Sequence, residues 1–168
     1  MVDDKEFYLP PGVSRNITIK PYYINYQRND GKEINMRIYE TPGIGDTIRN
    51  LADNLIIKRI LNLLQEVNEI DYILFTVKSL TTRWTHSSQY IYERIQEIFG
   101  KDIKDRFILM CTFSDYFKPT IINTLEGKID FEHYFCFNNY ALFIQPESSD
   151  NTKLFWKLGM NSLENFLI

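Results

Sequence analysis

A chain of 168 residues with 44% hydrophobic side chains carries enough apolar surface for a single globular domain, 1–168, and too little Pro, Gly and charge bias for a disordered segment. Nineteen basic against 22 acidic residues, a formal net charge of −3, give no electrostatic footprint for nucleic acid. No apolar run approaches the roughly 18 residues of a transmembrane segment, and the opening MVDDKEFYLPPG lacks the basic and apolar regions of a signal peptide.

From Asn16 to Glu40, two β-rich runs flank Asp30-Gly31, and Ile34, Met36 and Ile38 alternate with Asn35, Arg37 and Tyr39, which predicts a hairpin with one buried face. After the turn PGIGDT, Leu51, Leu55, Ile60, Leu63, Leu64 and Val67 recur at helical steps, so 50–68 reads as an amphipathic helix packed on a sheet. DYILFTV at 71–77 is apolar without alternation and reads as a fully buried strand. The stretch from Thr85 to Gly100 places Ile91, Ile95, Ile98 and Phe99 on one helical face and closes on a glycine suited to the left-handed conformation.

RFILMCT at 106–112 repeats the buried-strand pattern, and HYFCFNN at 133–139 repeats it again. NTKLFWKLGMNSLENFL then forms a last helix despite Gly159. Helix boundaries between 113 and 132 are not legible. Strands alternating with helices imply an α/β protein with a mostly parallel sheet, whose ligands sit at the carboxyl ends of the strands, here just after Tyr39, Val77, Cys111 and Phe137. Cys111 and Cys136 lie in apolar stretches without metal-ligand spacing and read as reduced thiols of a cytoplasmic protein.

Three stretches carry chemistry. Glu40-Thr41-Pro42-Gly43 fits the Asp-x-x-Gly turn of a GTPase except at its first residue. In that turn the carboxylate stands near Mg²⁺ and the glycine N–H bonds the γ-phosphate, whereas the plain alternative is a Pro-Gly turn between strand and helix. Thr18, with Ser14 behind it, stands where a switch threonine places its hydroxyl on Mg²⁺; the alternative is a structural threonine at a strand start. Thr112 and Asp115 in CTFSD follow a buried strand, where an Asp accepts hydrogen bonds from guanine, although a turn or cap role fits Asp115 as well. Phe113 replaces the basic residue that packs along the base, so it stacks on the ring or fills the core.

In order along the chain, ETPGIGDT, LTTRWTHSSQYIYERIQEIFG, FILMCTFSD and HYFCFNNYA resemble the immunity-associated GTPases, the GIMAP or AIG-type family related to the septins and the chloroplast import GTPases. The likeness covers about residues 14 to 145, and the box from Leu80 to Gly100 is its most telling part. FNNYA looks like the family's last guanine-side motif, which places Asn138 and Asn139 along the base. The resemblance implies a Ras-like P-loop NTPase three-layer αβα fold that binds GTP and GDP with Mg²⁺, hydrolyses GTP slowly and dimerises across the nucleotide face. It implies nucleotide contacts at Thr18, Glu40, Thr41, Gly43, Thr112, Asp115, Asn138 and Asn139, with Thr18 and Glu40 at the metal. It names no catalytic residue.

The sequence also departs from that family. No G-x-x-x-x-G-K-[ST] loop occurs, and LPPG offers one glycine, no lysine and two prolines without N–H groups. A strand, loop and helix need on the order of 30 residues, more than precede Ser14. The expectation is a G domain lacking its first strand, phosphate loop and first helix, with nucleotide binding weak or lost. The alternative expectation is a nucleotide-free pseudo-GTPase that acts as a protein interaction module.

Overall fold

The structure, a computed structural model, describes residues 18–28, 30–44, 50–67, 69–100, 103–143 and 150–167. Ser14 and the Gly45-Asp46-Thr47 end of the PGIGDT turn lie outside them. Strands β1 (Lys20–Gln27) and β2 (Glu33–Glu40) pair antiparallel in unbroken register, with Lys20 opposite Glu40 and Gln27 opposite Glu33. The turn works because Gly31 takes φ +83°, a conformation that costs glycine little, while Asp30 Oδ1 accepts the Lys32 N–H at 3.0 Å. The expected alternation holds on β2 from Glu33 to Ile38, where Ile34, Met36 and Ile38 are half-buried and Asn35 and Arg37 exposed, and it breaks at Tyr39, which is half-buried too.

Helix α1 (Asn50–Glu66) turns Asp53, Ile56 and Ile60 inward, one turn apart, and leaves Leu55 half-exposed on the other side. Strand β3 (Ile73–Lys78) leads through the 79–85 loop to α2 (His86–Phe99). Thr85 caps α2 by accepting the Ser88 N–H at 3.1 Å, and Gly100 ends it at φ +89°. Strand β4 (Phe107–Thr112), a short helix α3 (Thr120–Leu125), β5 (His133–Cys136) and α4 (Asp150–Phe166) complete the order. The 113–132 region thus holds one helix of under two turns.

Strands β3, β4 and β5 form a parallel sheet with β4 in the middle, and Ile73, Phe75 and Val77 stand opposite Phe107, Leu109 and Cys111. These six share one face, where Tyr92 and Ile95 of α2 and Ile121 and Leu125 of α3 close the core. Phe107, Leu109 and Cys111 are fully buried. Truncating such a residue to alanine costs about 2–5 kcal/mol. The opposite face carries Met110 beside Phe135, and α4 covers it by setting Phe166 edge-on to Phe135 at 5.4 Å. Helices therefore lie on both sides of the parallel sheet.

Two expectations change. β3 is half-buried and not fully buried, because it forms an edge of its sheet and no other described strand pairs along its outer side. β5 is likewise not fully buried, exposed at His133 and Tyr134 and half-buried at Phe135 and Cys136, because it forms the other edge of the three described strands. The β1–β2 hairpin forms a sheet of its own. It is tied to α4 at its turn end, where the Tyr26 hydroxyl donates to Glu164 and Arg28 Nη1 donates to the Leu167 carbonyl at 3.2 Å. Among the described residues, no helix is long and apolar enough to cross a membrane.

Candidate functional site

The sequence-predicted residues fall into two groups. Thr18 lies two residues before Lys20, whose partner across the hairpin is Glu40, so Thr18, Glu40, Thr41 and Gly43 gather at the open end of the hairpin. Thr18, Glu40 and Thr41 are exposed. Glu40 Oε2 accepts the Tyr22 hydroxyl at 2.9 Å, and that bond, with the nearby carboxylate charge, raises the Tyr22 pKa. A Cβ built at Gly43 would meet nothing within 4 Å, so packing in the described chain does not demand glycine there and the backbone is open to close approach.

Among the described residues, no group of three or more His, Cys, Asp or Glu is placed to hold a metal ion. Mg²⁺ asks for six hard oxygen donors. The Thr18 hydroxyl and Glu40 carboxylate are two of that kind, so they fit an ion whose remaining positions come from nucleotide phosphates and water, and do not fit a protein-only cage. Bound there, Mg²⁺ would neutralise charge on the phosphates.

The second group sits where β4 and β5 end. The Thr112 hydroxyl donates to the Val77 carbonyl at 3.1 Å, and the Thr112 carbonyl accepts both the Ser79 N–H at 2.9 Å and the Ser79 hydroxyl at 2.7 Å. Thr112 therefore fastens the carboxyl ends of β3 and β4. Ser79, almost fully buried, extends the fastening to α3 by accepting the Ile121 N–H at 3.0 Å. The loop that resembles the family box thus braces the strand ends, and Thr124 Oγ1 adds a bond to the Thr81 carbonyl at 3.2 Å.

Beyond Thr112 the chain reverses sharply. Phe113 has φ +53° and Tyr116 φ +66°, values that side chains rarely adopt and that accumulate at functional sites. Between them Ser114 is fully buried, while Phe113 is 70% exposed. The core-filling reading of Phe113 is corrected: the reversal that buries Ser114 turns the phenyl ring out into solvent. Two overlapping turns hold the loop, in which Ser114 Oγ accepts the Tyr116 N–H at 3.0 Å and Asp115 Oδ1 accepts the Phe117 N–H at 3.1 Å. Asp115 itself is exposed. One of its oxygens serves the turn, and the described residues give the other no partner.

The loop after β5 is clasped onto this one. Ser114 N–H donates to the Phe137 carbonyl at 3.1 Å, and Asn138 Nδ2 donates to the Ser114 carbonyl at 2.9 Å. Asn138 Oδ1 meanwhile accepts the Tyr140 N–H at 3.0 Å, which caps the short turn that follows, and Asn139 stays exposed. Asn138 thus holds the two loops together, and Asp115 and Asn139 remain open to solvent beside it. Burial raises the pKa of the Tyr116 phenol despite the opposing Asn138 N–H, so it stays protonated at neutral pH.

Sequence reasoning missed Ser79, Ser114 and Tyr116. Only Gly159, an isolated glycine inside a helical pattern, gave a signal. A separate open groove of about 530 Å³ runs along α3 past Lys104, Asp105, Glu126, Asp130 and Glu132, beside the first residues of β4 and β5, away from both groups.

No match was found among curated proteins. The model of the AIG1 family matches residues 13–130, a span that takes in Thr18, Glu40, Gly43, Thr112 and Asp115 and stops short of Asn138 and Asn139. With most of its length matched and helices on both sides of a parallel sheet, the chain belongs to the AIG1 family of P-loop GTPases and has their Ras-like α/β fold.

Proposed function

We propose that this chain is a guanine-nucleotide-binding G domain whose base-reading end is intact and whose hold on the phosphates is weak. The observation that carries this reading is the clasp of Asn138 on the Ser114 carbonyl, which fixes the loop beneath an exposed Asp115. Asp115 would accept hydrogen bonds from the guanine ring N–H and amino group, Asn138 and Asn139 would line the base, and Thr112 would brace the strand end below. Thr18, Thr41 and the Gly43 N–H would meet the phosphates and, with Glu40, Mg²⁺. Without a G-x-x-x-x-G-K-[ST] loop in these 168 residues, that second half has little to grip with. The free thiols of Cys111 and Cys136 support a cytoplasmic setting, and the family likeness supports pairing of two copies across the nucleotide face.

Calorimetric titration of the 168-residue chain with GDP and GTP in Mg²⁺ tests the reading. The expected binding is weaker than micromolar, selective for guanine over adenine, and unselective in Asp115→Ala. Micromolar or tighter affinity defeats the weak phosphate grip, and equal response to adenine nucleotides defeats the base reading.

The Tyr22–Glu40 bond favours a second reading, a nucleotide-free pseudo-GTPase that serves as an interaction module, because it already occupies the carboxylate that the metal would use. A rise in melting temperature on adding GDP, abolished by Glu40→Ala, rules that module out.

A further inference from the structure

Gly159 stands in the middle of α4, where glycine weakens a helix relative to alanine. The space that it leaves is used. A Cβ at position 159 would stand 3.3 Å from Tyr116 Oη, closer than such contacts ordinarily come. That hydroxyl donates to the Phe155 carbonyl of α4 at 3.3 Å and accepts the Asn138 backbone N–H at 3.2 Å. The Tyr116 ring lies stacked on Phe155, with centroids 6.2 Å apart. One phenol therefore joins three elements: the loop after β4, the loop after β5 and α4.

The joint looks purposeful on energetic grounds. Tyr116 holds φ +66°, a strained conformation for a residue with a side chain. The two residues before it are tied down, Ser114 by Asn138 and Asp115 by the Phe117 N–H. A strained backbone, a helix glycine and a half-buried phenol all converge on the Asn138 amide, which lies next to the Asn138 side chain that clasps the Asp115 loop.

We propose that Tyr116 is a positioning residue through which helix α4 sets the placement of the loops carrying Asp115 and Asn138, with Gly159 the gap that admits its hydroxyl. That these loops read guanine rests on the function proposed above; the mechanical linkage does not. Tyr116 contacts no ligand in this account. It acts through the Asn138 N–H and the turn at Asp115, so a change at position 159, on the face of α4 that meets Tyr116, reaches both loops through the phenol.

Amide hydrogen exchange followed by NMR, on the 168-residue chain and on Tyr116→Phe and Gly159→Ala, tests the linkage. Tyr116→Phe keeps the ring and removes the hydroxyl, and the Asn138 amide should then exchange roughly three- to tenfold faster, while the amides of Leu109 and Ile121 hold their rates. Gly159→Ala should speed the Asn138 amide as well, even though alanine favours the helix, because the added Cβ displaces the hydroxyl. GDP titrated into each protein should shift the Asn138 and Asp115 resonances less in the variants than in the unaltered chain. Unchanged Asn138 exchange in both variants overturns the proposal, and so does a uniform acceleration across the whole chain, which would mark Tyr116 as ordinary packing. If the unaltered chain gives no response to GDP while Asn138 exchange changes as stated, the nucleotide reading fails and the positioning role stands.

Discussion

Asn138 Nδ2 reaches back 24 residues to the Ser114 carbonyl at 2.9 Å, and Ser114 N–H answers with a bond to Phe137, the residue just before. The pair joins the ends of β4 and β5 with a short two-way clasp, so the exposed Asp115 rests on a fixed base. Ser114 is fully buried, which makes its carbonyl dependent on a protein partner.

Asn138→Ala removes that partner and also the cap on Tyr140. Leaving a buried carbonyl unsatisfied should lower stability by about 1–3 kcal/mol, seen in urea denaturation as a lower midpoint at an unchanged slope. Asn138→Asp keeps the cap oxygen but puts a carboxylate against the carbonyl, and should be no better.

Ser79 offers a graded pair of changes. Its hydroxyl is the second of two donors to the Thr112 carbonyl, so Ser79→Ala should cost only about 1 kcal/mol. Ser79→Val keeps no donor and adds bulk at a fully packed position, and should cost about 1–3 kcal/mol more through overpacking. Thermal unfolding of the two variants orders them.

Cys111 is sealed in the core, and burial pushes its thiol up to about 12, with Cys136 nearby adding to the shift. A thiol whose folded pKa is raised favours folding below its unfolded pKa of about 8.5, and that advantage fades as pH rises from there toward 12, because only the unfolded chain can release the proton. Stability should therefore decline with pH above about 9, and less so in Cys111→Ala relative to its own value at pH 7. In the folded chain Cys111 should resist alkylation until denaturant is added.

Glu164 is the side-chain acceptor that, beside the Leu167 carbonyl, holds the hairpin to the end of α4. It takes the Tyr26 hydroxyl and stands 4.0 Å from Arg28 Nε, a buried donor without a hydrogen bond, and Arg28 and Glu164 side chains are only 15% and 18% exposed. Glu164→Ala should speed amide exchange in β1 and β2 by about an order of magnitude while β4 amides keep their rates. Tyr26→Phe should add less than its own effect to that variant, because both remove the same contact. Equal exchange across all strands would show that the hairpin depends on other contacts.

The local elements were legible in the sequence because local interactions make them. Period-two alternation placed β2, the Asp30-Gly31 turn placed the hairpin, helical spacing placed α1 and α2, and Thr85 and Gly100 marked the ends of α2. The order of motifs from Glu40 to Ala141 carried the family resemblance, and the AIG1 match over residues 13–130 agrees with all of them but the last. What each motif residue touches was not legible. That Thr112 turns its hydroxyl to Val77, that Phe113 faces solvent while Ser114 is buried, and that Tyr116 fills the gap at Gly159 all depend on residues 24 to 43 positions apart meeting after the sheet and helices pack. Composition and spacing report which side chains are present and on which face of their own element they fall; only packing between elements decides which buried carbonyl needs a donor, and hence which asparagine or tyrosine must supply it.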